Sequence, residues 1–298
     1  MNKSSSKIKG QYKWLIAGLL FAVLWASAST ATKIGLTVAQ PLVIAVIRFG
    51  IAGIILLVIA HLIARHRLPA GKEWQYLSIY GLCNITIYLG CFVIAMQHLT
   101  AGIGSLAIAT NPLFISFLSV LFLKKKLTAT IIAALLIGTV GVLVAAWPLL
   151  KDAIISTSGL LLLLFSMLSY SVAAIYFSAK NWNGLHLLSI NGWQTLLGGL
   201  FLLPFALFFY KSNSNIYNST FWGAVFWLVI PVSIFAVQLW LWLLKTNTVK
   251  AGLWLFLCPV FGFAIAAWLL HDSITYYTIA GIVLVVIGLL LAQKTAKK

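Results

Sequence analysis

Long apolar runs separated by short polar breaks fill the chain from residue 14 to residue 293. The runs do not alternate between polar and apolar positions, so they predict helices rather than strands. Each is close to the ~20 residues that cross a hydrocarbon core, where only helices or closed barrels satisfy the backbone. Ten helices are expected, at residues 14–32, 41–63, 73–97, 101–123, 128–147, 158–179, 186–210, 220–244, 251–270 and 275–293. The breaks carry turn chemistry: Gln40-Pro41, residues 65–72 with Pro69 and Gly71, Lys124–Lys126, Trp147-Pro148, Asn181–Gly184 and the Ser/Asn-rich residues 211–220. Only Gln97, His98 and Thr100 divide the third run from the fourth. The expectation is an all-α polytopic membrane protein with no soluble domain between spans.

One stretch occurs twice. Residues 101–128 run Ala-Gly, an apolar helix with one proline, a polar break and a threonine, and residues 251–275 repeat that order. Sixteen residues separate Pro112 from Thr128 and Pro259 from Thr275, and thirteen further on stand Gly141 and Gly288. The spacing from Ala-Gly to proline differs by three residues. The same anchors set Tyr88 opposite Gln238, and the Gly-x-x-Leu-Leu runs at Gly53 and Gly199 set Arg48 opposite Gln194. The organisation predicted is a basic N-terminal segment (1–13), a first five-helix repeat (14–147), a linker (148–157), a second repeat (158–293) and a basic tail (294–298). Five helices per half turn the second half upside down, which is inverted-repeat architecture.

Composition narrows the class further. With 62% hydrophobic and 8% charged residues, the chain cannot be a water-soluble globule with a single core. Its net charge of +17 would suit nucleic acid if it were spread evenly, but it is not. One face receives Lys3, Lys7, Lys9, Lys13, Arg65, Arg67, Lys72, Lys124, Lys125, Lys126, Lys180, Lys245, Lys250, Lys294, Lys297 and Lys298; the other receives Lys33, Lys151 and Lys211. That asymmetry predicts cytoplasmic termini in the plasma membrane, with anionic lipids rather than nucleic acid as the partner of the basic face. Reading residues 14–28 as a cleaved signal peptide would leave nine spans, against the five-plus-five repeat.

The spans contain no Asp or Glu: Glu73 opens the third helix, while Asp152 and Asp272 fall in breaks. This argues against an embedded acidic proton relay and against a cavity for bulky cations. Arg48 is the one charged side chain expected well inside a span, about 10 Å along the axis from Pro41. It either snorkels to a helix end or binds a carboxylate or phosphate with its planar fork. Trp25, Tyr88, Tyr170, Trp193, Trp240 and Trp254 are deep aromatics, and Asn84, Thr110, Asn111, Asn191, Gln194 and Gln238 are deep polar residues that should avoid lipid. Of these, Trp25, Asn84, Tyr88, Asn111, Tyr170, Gln194, Gln238 and Trp254 form the candidate substrate cavity together with Arg48. Pro112 and Pro259 break mid-helix bonding and are candidate hinges. Glycines 138, 141, 281 and 288 should allow close contact between the fifth and tenth helices, or form the seam of a homodimer. Cys83, Cys91 and Cys258 are read as buried thiols. No catalytic, metal or cofactor constellation is present in the sequence.

These residues resemble a known family. Trp25 and Lys33, Pro41 and Arg48-Phe49, Ala101-Gly102 with Pro112, Gly138 and Gly141, then Gly159, Ala251-Gly252, Pro259, Thr275, Gly281 and Gly288 make the chain similar to the EamA-type ten-helix permeases of the drug/metabolite transporter superfamily. Such permeases usually have an acid just before the threonine closing each proline helix, where this chain has Lys125 and Asp272. The resemblance implies a pseudo-twofold bundle that moves a small metabolite by alternating access. With Arg48, it favours export of an amino acid or related carboxylate or zwitterion. A lipid-handling flippase, or a membrane sensor that transports nothing, is the alternative.

Overall fold

The computed structural model describes residues 3–152, 156–270 and 275–294. Of the residues singled out above, Asp272, Lys297 and Lys298 lie outside these, as do the side chains of Lys3, Lys7, Lys9, Pro148, Lys151, Asp152 and Lys294. The described residues form helices joined by short connections. Eight are long and apolar enough to cross a membrane. In chain order the helices are α1 (Lys3–Leu36), α2 (Pro41–Ile63), α3 (Lys72–Ala95), α4 (Ala101–Leu123), α5 (Ala129–Asp152), α6 (Thr157–Ala179), α7 (Leu187–Phe208), α8 (Ser219–Thr246), α9 (Thr248–Leu269) and α10 (Tyr276–Lys294). In α5 and α10 the apolar part is shorter, Ala129–Ala145 and Tyr276–Leu291. The helices overrun two expected boundaries: α1 begins inside the basic N-terminal segment, and α5 continues to Asp152 through half of the expected linker.

Helix starts are fixed by side chains that accept from otherwise unpaired backbone N–H groups. Thr100 accepts from Ile103 at α4, Ser156 from Gly159 at α6, Asn218 from Phe221 at α8 and Asn247 from Lys250 at α9. Pro41 starts α2 where its missing N–H costs nothing. Pro112 does the same inside α4, which is two helices, Ala101–Ile108 and Asn111–Leu123, with Pro112 in the first turn of the second. The expected loss of a mid-helix hydrogen bond is thereby avoided. Pro259 likewise stands in the first turn of Leu257–Leu270, just after the 3-10 turn Trp254–Phe256.

Large apolar side chains point outward along the bundle, among them Phe117, Phe165, Phe208 and Phe226. So much exposed hydrocarbon suits lipid as the surrounding solvent. Inside, small residues set the closest approaches. A Cβ on Gly141 would lie 2.8 Å from the Gly281 carbonyl oxygen, and one on Gly288 2.9 Å from that of Ala134. The glycines of α5 and α10 therefore pack against each other within one chain. Helices α2 and α7 make the second close pair, with Gly53 against Leu196 and Gly199 against Phe49. Around these pairs α1 packs on α8 and α9, while α6 packs on α3 and α4.

Polar contacts fasten the α2–α7 pair at both ends. At the α2 start, Gln40 donates to the Phe209 carbonyl (2.9 Å) and accepts from Lys211 N (2.7 Å) and Asn215 Nδ2 (3.0 Å), while Ile216 N donates to the Val38 carbonyl (2.8 Å). At the α2 finish, both Arg67 Nη atoms donate to Glu73 at 2.7 Å, and Nη2 also donates to the Asn183 carbonyl at 2.9 Å. Nearby, the rings of His66 and His186 stack with centroids 3.7 Å apart.

Candidate functional site

Three helices that bury polar residues meet at Arg48. Its helix α2 is pressed against α7 by Gly53 and Gly199, which leaves the arginine only 2% exposed and aimed at α8 rather than toward a helix end. Nε donates to Ser233 Oγ at 2.8 Å, and the guanidinium carbon lies 5.1 Å from the Phe49 ring centre. Snorkelling is thus not how the chain accommodates this charge. Among the described residues no carboxylate pairs with it; the one ion pair there is Arg67–Glu73.

The amides form a continuous network beside it. Asn84 Nδ2 donates to Gln194 Oε1 (3.0 Å), Gln194 Nε2 donates to Asn191 Oδ1 (3.2 Å), and Asn191 Nδ2 donates to the Ser233 carbonyl (3.2 Å). Thr195 Oγ1 also donates to Asn191 Oδ1 (3.3 Å). Arg48, Asn84 and Gln194 are therefore joined through Asn191 and Ser233. Two of these residues lie in π-helical stretches, Asn84 in Leu82–Ile87 of α3 and Ser233 in Leu228–Ala236 of α8. A π turn displaces backbone bonds and is common at functional sites. Here neighbouring side chains bond to carbonyls in the stretches: Asn191 to Ser233 O, and Ser169 of α6 to Cys83 O at 2.8 Å.

The deep aromatics pack into a second cluster. Tyr170 of α6 lies 4.7 Å from Tyr88 of α3, 5.9 Å from Trp25 of α1 and 5.5 Å from Trp240 of α8, the last stacked at 19°. Phe21 completes it, 4.9 Å from Trp240. Tyr88 is also an electrostatic neighbour of Arg48, which ties the two clusters together. The Tyr170 hydroxyl, Trp240 Nε1 and Trp254 Nε1 are buried with no hydrogen-bond partner, as is Oε1 of the half-buried Gln238. Unpaired buried polar atoms cost about 1–3 kcal/mol each, so these tips are the groups with most to gain from a polar ligand.

Two candidates stand apart. Asn111 is held inside α4, donating to Met167 Sδ at 3.2 Å and accepting from Ser171 Oγ at 3.0 Å. Trp254 lies against Gly18, where a larger residue would collide with its indole. Asn191 and Trp240, read from the sequence as a deep amide and a deep aromatic, belong to the two clusters, and Ser233, Thr195 and Phe21, which the sequence did not single out, belong to them as well. Three cavities, of about 570, 860 and 280 Å³, lie elsewhere, and none is lined by Arg48 or Tyr170. Among the described residues no group of three His, Cys, Asp or Glu could hold a metal ion.

An apolar helical bundle enclosing one buried arginine, an amide network and an aromatic cluster defines a polytopic membrane protein built around a polar interior. The family model for the EamA-like transporter family matches residues 12–147 and again residues 157–293, so the chain belongs to that family and is a membrane transporter. It is 27% identical over 282 residues to the uncharacterized transporter YvbV of Bacillus subtilis, covering 92% of this chain and 90% of the relative. An uncharacterized transporter of Archaeoglobus fulgidus is 26% identical over 280 residues, covering 93% and 97%. Protein PecM of Dickeya dadantii is 26% identical over 274 residues, covering 91% and 89%. A solved crystal structure shares the fold at a TM-score of 0.77 and 16% identity, over 96% of this chain and 99% of that one.

Proposed function

We propose that the chain crosses the plasma membrane ten times as two oppositely oriented five-helix halves, with both termini cytoplasmic. In this reading it exports a small metabolite bearing a carboxylate, an amino acid or related zwitterion, by alternating access. The observation that carries the substrate class is Arg48, buried at 2% exposure and, among the described residues, with a single hydrogen bond and no acid beside it. A buried charge without a counterion is costly, and a bound carboxylate supplies both the counterion and the two acceptors that a guanidinium fork suits. The exchanged packing of α1 on α8 and α9 and of α6 on α3 and α4 supports the inverted halves. Opening then separates Tyr170 from Trp25 and Trp240, which exposes the unpartnered hydroxyl and indole tips to the substrate.

A lipid-handling role has one observation in its favour, the 860 Å³ groove between α1, α8 and α9 that includes Trp227 and Trp268. Among the described residues no charged side chain lines it, which gives a charged headgroup no partner there. The test of the carboxylate reading is uptake of labelled amino acids by vesicles, normalised to protein in the membrane. Arg48→Ala and Arg48→Lys should both lose at least about tenfold in transport, since lysine keeps the charge without the planar fork. Undiminished transport by a well-expressed Arg48→Ala variant would end this reading. Direction is read from cells overexpressing the protein: export predicts protection from toxic amino acid analogues, and sensitisation would reverse it.

A further inference from the structure

The 570 Å³ cavity lies among the ends of α4, α6 and α8 and the start of α9. Its lining includes Lys125, Lys180 and Lys245, contributed from just beyond α4, at the end of α6 and from the last turn of α8. Polar groups of Asn181 and Thr246 share the wall, and Trp182 supplies an apolar surface. Among the described residues no acidic side chain lines it. The chain holds three acids in all: Glu73 is bidentate with Arg67, Asp152 is the last residue of α5, and Asp272 comes after α9 in sequence.

A lysine near a helix C-terminus also offsets the helix dipole, but that role needs no cavity between the lysines. The Lys180 ammonium lies 4.9 Å from the Tyr76 ring and 5.1 Å from that of Tyr176, neither of which lines the cavity. Lysines contributed by three separate helix ends to one wall suit a multivalent tetrahedral anion better than a planar carboxylate. We propose that this cavity is a phosphate-binding site, distinct from Arg48, taking the phosphate of a soluble anion or of an anionic lipid headgroup.

The test uses the full-length protein in neutral detergent and reads its thermal unfolding midpoint. Inorganic phosphate is titrated against chloride at matched ionic strength, and short-chain phosphatidylglycerol against phosphatidylcholine. The wild type should show a saturable rise of about 5 °C near a hundredfold excess over the dissociation constant. Lys125→Gln with Lys245→Gln should abolish the rise while leaving Lys180 on its tyrosines. A control pair, Lys13→Gln with Lys72→Gln, removes the same charge outside the cavity and should retain it. A response to inorganic phosphate assigns a soluble anion; a response to phosphatidylglycerol alone assigns a lipid headgroup. No saturable rise with either, or an equal loss in the control pair, overturns the proposal. Transport is not the readout, so this outcome stands apart from that of the Arg48 test.

Discussion

At one end of the α2–α7 pair the connections are joined by neutral amides, with Gln40 bonded to Phe209, Lys211 and Asn215. At the other they are joined by ionisable groups, the Arg67–Glu73 pair and the His66–His186 stack. Both join a connection of α2 to a connection of α7, so both hold the arginine-bearing helix against the amide-bearing one. Their responses to conditions should differ. Neutral hydrogen bonds are indifferent to mild acid and weakly sensitive to salt, whereas a half-exposed ion pair and stacked imidazoles respond to both. The pair is thus built to loosen at one end first.

The largest effect should come from breaking the middle that both ends share. A Cβ on Gly53 would lie 2.8 Å from Leu196 Cβ and 3.0 Å from its backbone nitrogen, so Gly53→Leu forces α2 and α7 apart. A loss of about 3 kcal/mol is expected, with hydrogen exchange rising together in residues 180–186 and 209–216. A rise at one end only would show that the ends are not mechanically joined. A smaller and more selective effect is expected from Gln40→Ala. It removes three hydrogen bonds and should cost about 2 kcal/mol, raising exchange roughly thirtyfold in residues 209–216 alone. In Glu73→Gln the rise should instead be confined to residues 180–186, and it should erase the salt dependence of exchange there.

The smallest effect is the pH response. Burial, the neighbouring His66 and Lys245 hold the His186 pKa below the ordinary 6.5. In addition, its Nδ1 accepts from Leu188 N at the start of α7, a bond that the imidazolium cannot make. The unfolded chain therefore binds the proton first as pH falls. This contribution to stability is complete above about pH 7 and is lost as pH drops through the folded value. Exchange in residues 180–186, divided by its intrinsic rate at each pH, should rise a few-fold between about pH 7 and 5.5 and stay flat in residues 209–216. His186→Asn keeps a cap that does not titrate and should remove the response. An unchanged pH profile in that variant would place the sensitivity elsewhere.

Much of the site was legible because polar residues in an apolar span have few places to go. Arg48, Asn84 and Gln194 were identified on that ground, and they meet in one network. Ser233 was not, since a serine in a membrane helix can bond to its own backbone and so carries no signal of a partner. Trp182 donates to the Phe177 carbonyl at 2.9 Å and packs beside Tyr80, contacts that its position in the sequence does not announce. The fastening at Gln40 joins residues about 170 positions apart and leaves no local trace. The π turns escaped notice because a pattern read at 3.6 residues per turn assumes an uninterrupted α-helix.

A π turn holds about one residue more than the α turn it replaces, so Leu82–Ile87 and Leu228–Ala236 each act as a phase shift within their helix. Everything beyond them is rotated by about 100° relative to a continuous α-helix. Deleting one residue there would leave hydropathy and charge almost untouched, yet turn Tyr88 away from Tyr170, or Trp240 away from Phe21. In this family a one-residue gap in α3 or α8 would therefore mark a differently aimed cavity wall. The length of a span then helps determine what the transporter admits, alongside the identity of the residues that line it.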